Sequence, residues 1–331
     1  MMRVNESHKQ FLESKGVLLP EGHKYIPIAQ DAQPQLSTAP NSGVLSIFTT
    51  YYDPKVINIL FAVMAAIRVA GAEVKKGDWT DVALAFNVVE PTGVVASYDD
   101  YSTNGVANAN TNYPQRQPYL YQVITQWGEL ELARMSLQRL DWASIKDSAS
   151  IFTLNKFQNL SYFFGVEGLQ NYGLLNDPNL NPFIPVAVPW SAKTALEIYN
   201  DFVLLFTDLS NNAQGNVDPS TPMSLGVSQY GLAQLTRTND FFNKTALIMI
   251  KEQFPNLEVI DAPEFATTSG QVARLKAINI GEQMTEEVSY NVKLRSGPVV
   301  IDLSHYKQKK SQGTNGALIY RPALISALLG V

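Results

Sequence analysis

Imidazole side chains are scarce in this 331-residue chain, which has three histidines. Two of them, His8 and His23, lie in a proline-spaced N-terminal stretch, so His305 is the one imidazole base left for the rest of the sequence. Ser304 precedes it and Lys307 follows, which also gives the Ser-x-x-Lys spacing of serine acyl-enzymes. A soluble hydrolase using Ser304, His305 and Lys307 is the enzyme hypothesis that this spacing allows. The rest of that signature is missing from the sequence, and a solvated turn explains the same residues.

Paired carboxylates are the other residues with possible chemistry, because a glycosidase needs two of them facing each other across a cleft. The pairs are Asp99/Asp100, Glu129/Glu131 and Glu286/Glu287. The second pair lies at a predicted helix start, where negative charge complements the helix dipole. The sequence has no cysteine and no phosphate-loop, zinc-hydrolase or nucleophile-elbow motif. We therefore assign no catalytic, cofactor-binding or metal-binding residue and expect a protein that is not an enzyme.

The composition favours self-association. Hydrophobic residues make up 45% of the chain but charged residues only 17%, against about 25% in a typical soluble domain. Amides take their place, with 24 Asn and 19 Gln, and such surfaces can be buried against a partner without desolvating ions. The net charge of −5 has the wrong sign for a protein that grips nucleic acid tightly.

Targeting signals are not apparent, and the chain is expected to be soluble and cytosolic. The N-terminus lacks the apolar stretch of a secretory signal, and the longest apolar run, Ile59 to Ile67, is too short to span a membrane. The cluster Lys307, Lys309 and Lys310 is interpreted as a solvated basic turn. In an assembly of many copies, even such a weak basic patch would be multiplied.

The N-terminal half combines an extended segment, a helix and a long β excursion. Prolines at nearly even spacing predict an extended arm over residues 1–50, and Asp53-Pro54 then starts a helix over Val56–Ala70 that ends at Gly71. The runs Val82–Val89 and Tyr119–Ile124 are strand-like and bracket a polar stretch, which we interpret as a surface-reaching loop.

The second half begins with helices. Glu129–Leu140 is predicted as a short helix, and Asp141 caps a long one that runs to Phe164 and ends at Gly165. The apolar stripes predicted to face a core on the long helix are Trp142/Ile145/Ala149/Phe152 and Leu154/Phe157/Leu160/Phe164.

An α/β unit and closing strands follow the long helix. We predict helices over Ser191–Phe206 and Asn239–Phe254, a strand at Leu257–Ile260 and another over Val288–Leu303. The basic turn then leads to a last segment, Ala317–Ile325.

The order of these parts, together with several short motifs, carries a resemblance to a known family. The motif residues are Tyr98–Gly105 with Arg116, then Trp127 and Glu129–Ala133, then Gly165, Gly168-Leu169, Tyr172–Pro178, and finally Ser311, Gly313-Thr314, Gly316 and Arg321-Pro322. Over about Gly43 to Val331 the chain resembles the major capsid proteins of tailed bacteriophages, which have the Hong Kong 97-type capsid fold shared with encapsulin shells.

The resemblance implies an α+β fold with defined parts. These are an N-terminal arm (1–50), an N-terminal helix (51–77), an extended β-hairpin loop (78–126), a peripheral domain with a spine helix (127–185 and 286–312) and an axial domain (186–285 and 313–331). Some shells of this fold form a Lys–Asn crosslink from a lysine in the extended loop. This chain has no lysine from Gly77 to Ile145, so we predict no such crosslink.

The function that the resemblance implies is a structural one. Copies of the chain would form pentamers and hexamers of an icosahedral head shell around double-stranded DNA. The shell would contact the packaged DNA weakly and non-specifically, and neither a membrane nor a cofactor would be involved. The partners would be separate scaffolding, portal and decoration proteins, and the location the host cytoplasm during assembly and then the virion. An encapsulin-like compartment around protein cargo is the alternative within the same fold, and the hydrolase stays the alternative outside it.

Overall fold

The chain divides into two compact units, Met1–Ile57 and Asn58–Val331. The structure, a computed structural model, describes residues 64–137, 141–238, 244–281 and 283–331, together with the backbone of two short N-terminal strands. These strands, Met2–Arg3 (β1) and Tyr25–Ile26 (β2), pair antiparallel. The predicted arm otherwise lies outside the described residues, as does the predicted start of the first helix.

The second unit mixes helices and strands, which confirms the predicted α+β class. Its helices are α1 (Ala66–Ala70), α2 (Glu129–Leu137), α3 (Trp142–Phe164), α4 (Ala195–Asn212), α5 (Gln229–Leu235) and α6 (Ala246–Gln253). The strands before α4 are β3 (Glu73–Lys75), β4 (Leu84–Ala85), β5 (Val88–Val94), β6 (Val106–Asn112), β7 (Gln115–Arg116), β8 (Tyr119–Gly128) and β9 (Ile184–Pro185). The later strands are β10 (Met223–Val227), β11 (Leu257–Asp261), β12 (Ala266–Thr267), β13 (Gly270–Ala277), β14 (Asn279–Ile280), β15 (Gln283–Met284), β16 (Glu286–Tyr290), β17 (Arg295–Asp302), β18 (His305–Thr314), β19 (Gly316–Ile319) and β20 (Ile325–Leu329).

The largest sheet has the order β11-β10-β13-β20-β9, with β12 paired to β13. Helix α4 packs against it and starts with a capping box, in which Thr194 and Glu197 satisfy each other's backbone N–H groups. Ile198, Phe202, Leu205 and Leu209 on one face of α4 belong to the same buried cluster as Leu225, Leu275 and Leu328 of the sheet. This face recurs every three or four residues, as an amphipathic helix requires.

A second sheet, β17-β18-β8, carries the long helix α3 on one side. The predicted ends of α3 are confirmed, because the Asp141 side chain accepts a hydrogen bond from the Ser144 N–H at 3.2 Å and the helix stops at Gly165, whose φ is 67°. The predicted end of the first helix is also confirmed, since α1 stops at Gly71 with φ 90° and the Gly71 N–H donates to Ile67 O.

The second apolar stripe predicted to face the core on α3 is wrong at three of its four positions, whereas Leu154 is buried as predicted. Phe157, Leu160 and Phe164 are 38%, 41% and 39% exposed. The buried positions between Ser150 and Phe163 are largely polar: Ser150, Leu154, Gln158, Asn159, Ser161, Tyr162 and Phe163. The reason is the sheet beneath, which presents polar side chains of β18 to the helix. Hydrogen bonds there replace the apolar contact that a hydrophobic pattern can reveal.

The predicted basic turn is also wrong, because Lys307, Lys309 and Lys310 lie within β18. The turn comes earlier, at Asp302–His305, where Leu303 has φ 55°. Strand β18 pairs with β17 on one side and along its whole length with β8 on the other. Strand β8 (Tyr119–Gly128) is therefore an edge strand of this sheet. It does not pair with the predicted strand Val82–Val89.

The polar stretch interpreted as a loop contains a strand. β6 pairs antiparallel with β5 over seven residues, from Val88↔Asn112 to Val94↔Val106. A shorter pairing of β4 with β7 continues toward the body of the unit. Strand β10 and helix α5 were not among the predicted elements, and they fill the segment before α6.

Candidate assembly surfaces

The hairpin β5–β6 is anchored to the body by a buried ion pair. Arg116 Nη2 donates to Asp177 Oδ2 at 2.7 Å, and the two side chains are 6% and 0% exposed. The guanidinium carbon also lies 4.8 Å from the ring centroid of Tyr172 and 6.0 Å from that of Phe86. Arg116 thus contacts Phe86, where the chain enters the hairpin. It also contacts Tyr172 and Asp177 in the turn after α3.

Backbone contacts reinforce this anchor. The Gln117 N–H donates to Gln170 O at 2.9 Å, and the Gln170 N–H donates to Gln117 Oε1 at 3.2 Å. The Asn171 amide donates to Gln117 O and to Thr314 O, at 3.0 and 3.1 Å. The end of the hairpin, the turn after α3 and strand β18 are therefore held together by a partly buried polar network.

Two glycines of the motif region allow the turn after α3 to pack closely. A Cβ at Gly173 would lie 2.3 Å from Phe163 O, and a Cβ at Gly316 would lie 2.3 Å from Tyr172 O. Gly316 also has φ 74°, a conformation that favours glycine. These positions explain in steric terms why the turn and the start of β19 carry glycine.

Beyond its anchor the hairpin is a two-stranded ribbon exposed to solvent. Every described residue of β6 is exposed, as are nearly all of β5. The exposed set includes large apolar and aromatic side chains: Val88, Val89, Val94, Val95, Tyr98, Tyr101, Val106 and Tyr113. An isolated two-stranded hairpin is marginally stable in water, and a cluster of exposed apolar side chains is typical of a contact site.

The predicted carboxylate pair Glu286/Glu287 does not face a cleft. The two residues are neighbours on β16, so their side chains point to opposite sides of the sheet. Glu286 is fully buried and forms ion pairs with Arg274 and with Lys276, the latter at 2.9 Å. Burial alone would raise the pKa of Glu286, but the two cations outweigh it and lower that pKa. Burial also lowers the pKa of Lys276.

The other carboxylates have structural partners as well. Glu287 pairs with Lys76, and the Tyr320 hydroxyl donates to it at 2.6 Å. Glu131 accepts hydrogen bonds from Lys146 at 2.9 Å, from the Trp142 indole at 2.5 Å and from the Gly128 N–H at 3.2 Å. In that order these partners lower the pKa of Glu131 to about 2.

The remaining predicted carboxylates are the pair Asp99/Asp100 and Glu129. Asp99 and Asp100 lie at the exposed hairpin tip, where the Tyr98 hydroxyl donates to Asp100 at 2.5 Å. Glu129 begins α2, as the dipole interpretation predicted. Within the described ranges, no three His, Asp or Glu side chains are placed to hold a metal ion.

The hydrolase candidates lie at the exposed β17–β18 turn. Asp302 pairs with Lys307, and its carboxylate lies 3.4 Å from His305 Nε2. The hydrogen bond from Lys307 lowers the pKa of Asp302, and its charge adds to this. In the described part of the chain the Ser304 hydroxyl has no hydrogen-bond partner. The backbone carbonyl of Ser304 accepts a hydrogen bond from the Glu129 N–H at 3.0 Å. A nucleophile–base contact between Ser304 and His305 is thus not present in this geometry.

The most important pairings were not predicted from the sequence. Arg116 was quoted in the motifs without its partner Asp177, and Lys310 was placed in a solvated turn although it is buried and binds Asp147 and Ser150. One signal was available: Arg116 is the single Lys or Arg between residues 77 and 133. Because a buried arginine is almost always paired, this isolated cation was the residue to test for a carboxylate partner. None of the described helices has the length and apolarity to span a bilayer.

Comparisons with solved structures show which fold this geometry represents. The capsid of Myoviridae phage XM1 matches with a TM-score of 0.72 and 16% identity, covering 87% of this chain and 99% of that one. A Mycobacterium phage Ogopogo structure matches with a TM-score of 0.58 and 10% identity, covering 87% and 100%. The holo-SrpI encapsulin complex of Synechococcus elongatus PCC 7942 matches with a TM-score of 0.54 and 10% identity, covering 86% and 93%.

The sequence itself matches a family model. No curated protein matched the chain, whereas the family model described as Pa193 gp26 major capsid protein matches residues 35–330. The resemblance inferred from the motifs and the capsid fold are both confirmed by these matches. The chain belongs to the Pa193 gp26 major capsid protein family, and it is a subunit of a phage head shell.

Proposed function

We propose that copies of this chain form the pentamers and hexamers of an icosahedral head shell that encloses double-stranded DNA. The family and the capsid fold support the role of shell subunit. Separate scaffolding, portal and decoration proteins would assist assembly in the host cytoplasm, and contact with the packaged DNA would be weak and non-specific. The role is structural, so no residue is assigned to catalysis.

The domains that we assign within the shell follow the predicted boundaries. The exposed ribbon lies within the extended loop (78–126), whose last residues also form most of β8. Helix α3, β17 and most of β18 lie within the peripheral domain (127–185 and 286–312), and α4 with β10, β11, β13 and β20 lies within the axial domain (186–285 and 313–331). The arm (1–50) and the first helix (51–77) complete the subunit. The anchor at Arg116 and Asp177 supports a hairpin that projects from a fixed base.

The exposed ribbon is the observation that carries the proposal. Its two strands bury little against the rest of the subunit, yet they carry four exposed valines, Val88, Val89, Val94 and Val106, and an exposed tyrosine, Tyr113, follows β6 directly. Such a hairpin gains stability only when another chain covers it. A neighbouring subunit of a shell provides that cover, and repeated interfaces of about 2,000 Å² or more are typical of permanent assemblies.

Size-exclusion chromatography with light scattering, followed by negative-stain electron microscopy, tests this function. The purified chain is examined over a range of concentrations and salt, with and without a candidate scaffolding protein. Closed shells, or free rings of five or six subunits, are the expected result. A compact monomer or dimer under all of these conditions would contradict the proposal.

An encapsulin-like compartment is a second candidate, because the encapsulin complex matches the fold over 86% of this chain. The material inside purified shells separates the two. Nucleic acid together with a portal protein supports the head shell, whereas a co-purified enzyme supports the compartment. His305→Ala tests the hydrolase alternative: shells should form as before, and loss of a measurable hydrolytic turnover would instead support an enzyme.

A further inference from the structure

The tripeptide Thr-Asn-Gly occurs twice in this chain. One copy is Thr103-Asn104-Gly105 at the hairpin tip, and the other is Thr314-Asn315-Gly316, where β18 passes into β19. An asparagine loses its side-chain amide most readily before glycine, because glycine has no side chain to shield its backbone nitrogen from attack on that amide. The two copies share this intrinsic reactivity, so their surroundings decide which of them reacts.

The copy at Asn104 is open to solvent and free to change conformation. The hairpin tip, residues 95–105, connects β5 to β6, and Thr103, Asn104 and Gly105 are all exposed. The Asn104 backbone N–H donates to Ser102 Oγ at 3.2 Å. Within the part of the chain that the structure describes, neither the Asn104 side chain nor the Gly105 N–H has a hydrogen-bond partner. The amide carbon of Asn104 and the next backbone nitrogen can therefore approach each other without breaking a bond.

The copy at Asn315 is held in place by hydrogen bonds. Asn315 is 1% exposed, and its side-chain amide donates to Lys76 O at 2.9 Å. The Asn315 backbone N–H donates to Ser289 O at 3.0 Å. The nitrogen that would attack is also engaged, because the Gly316 N–H donates to Thr314 Oγ1 at 3.0 Å. Reaction at Asn315 therefore requires local opening of a buried region.

We propose that Asn104 is a site of spontaneous deamidation, and that its conversion makes an unassembled subunit less able to join a shell. The Gly105 backbone nitrogen attacks Asn104 Cγ, and the new C–N bond closes a cyclic imide. The proton of the Gly105 N–H passes through solvent to the side-chain nitrogen, which leaves as ammonia. Water then opens the imide at either carbonyl and gives aspartate or isoaspartate. The net change consumes one water and releases one ammonia, so no oxidant, reductant or further reactant is needed.

The new carboxylate changes the cost of covering the hairpin tip. Asp99 and Asp100 already lie there, and residues 77–115 contain five carboxylates and neither lysine nor arginine. An amide that is covered by another chain gives up hydrogen bonds to water, whereas a carboxylate must be desolvated or find a cation. The effect on assembly rests on the proposed function, because it requires another subunit to cover the ribbon. The chemistry at Asn104 does not depend on that function.

Peptide mass spectrometry of the unassembled subunit tests the modification site. The subunit is incubated in alkaline buffer, either folded or in guanidinium chloride, and the conversion of each amide to a carboxylate is followed. In the folded subunit Asn104 should convert at least about tenfold faster than Asn315, because Asn315 must first open; in guanidinium chloride the two rates should converge. Asn104→Gln should not convert at the tip, since its longer side chain would have to close a larger ring. Equal rates in the folded subunit, or an unchanged Asn104, would overturn the proposal.

Assembly of aged subunits tests the consequence. Asn104→Asp should raise the subunit concentration needed for assembly at least about tenfold, because its carboxylate must be desolvated, and its thermal unfolding should match wild type. Aged wild type should lose assembly relative to fresh wild type, whereas aged Asn104→Gln should not. Unimpaired assembly of Asn104→Asp would refute the effect on assembly while wild-type shells still form. A fresh wild type that never assembles would instead contradict the proposed function, and the difference between Asn104 and Asn315 would still hold.

Discussion

Removing Arg116 should destabilise the subunit far more than removing an exposed arginine. The Asp177 carboxylate is completely buried and Arg116 is its single ion-pair partner among described residues. Arg116→Ala leaves that buried charge without a counter-ion and with the Asn179 N–H as its remaining hydrogen-bond donor, which costs about 3–5 kcal/mol. The contact of the guanidinium with the Tyr172 ring is lost as well. A domain is stable by about 5–15 kcal/mol, so the loss is a large fraction of the total.

Urea unfolding of the unassembled subunit, followed by tryptophan fluorescence, measures this loss. Arg134→Ala is the matched control because Arg134 is exposed and has no partner within the described ranges, and it should change the unfolding free energy by about 0.5 kcal/mol or less. The slope with denaturant should stay the same in both variants.

The double change Arg116→Met with Asp177→Leu tests the electrostatic cause. Replacing both members of a buried pair by apolar residues of similar volume is often close to neutral, so most of the lost stability should return. An Arg116→Ala variant within about 1 kcal/mol of Arg134→Ala would refute this reasoning, and so would a double variant no more stable than Arg116→Ala.

Three further changes probe other parts of the subunit. Gly173→Ala should cost about 2 kcal/mol or more beyond Gly168→Ala, because Gly168 has free space and only its φ of 81° to strain, whereas Gly173 has no room for a Cβ; thermal unfolding of both measures the difference. Glu286→Gln should lower the unfolding free energy by about 3–5 kcal/mol in urea, since it leaves two buried cations without a counter-ion. The lowered pKa of Glu131 means that its stabilisation is complete above pH 4.5 and is lost as the pH falls toward 2; urea unfolding over this pH range should therefore show a larger loss of stability in wild type than in Glu131→Gln.

Elements with local signals were predictable from the sequence. Helix α3 has its cap at Asp141 and its stop at Gly165 within the residues that it orders, so both ends could be recognised without tertiary information. The same holds for the stop at Gly71. The motif order was sufficient for the family, because it depends on sequence spacing and not on contacts.

Elements that depend on distant polar partners were not predictable. Strand β18 has Lys310 and Gln312 facing α3, where a hydrophobic pattern expects apolar residues, so the segment resembled a solvated turn. The buried face of α3 was misassigned for the same reason. The buried polar side chains of α3 and of β18 satisfy each other's hydrogen bonds, and these pairs can be recognised only when both elements are in place.

The polar seat of α3 also has a mechanical consequence. An apolar helix face can slide by one turn over an apolar sheet and exchange one set of contacts for another of similar energy. Lys310 and Gln312 reach particular oxygen atoms of Asp147, Ser150 and Asn155, and a shift of one turn, about 5.4 Å, breaks these bonds together. These bonds prevent α3 from sliding along its own axis over the sheet. A subunit pulled along this axis by its neighbours would therefore transmit the tension, and the helix would not slip against the sheet.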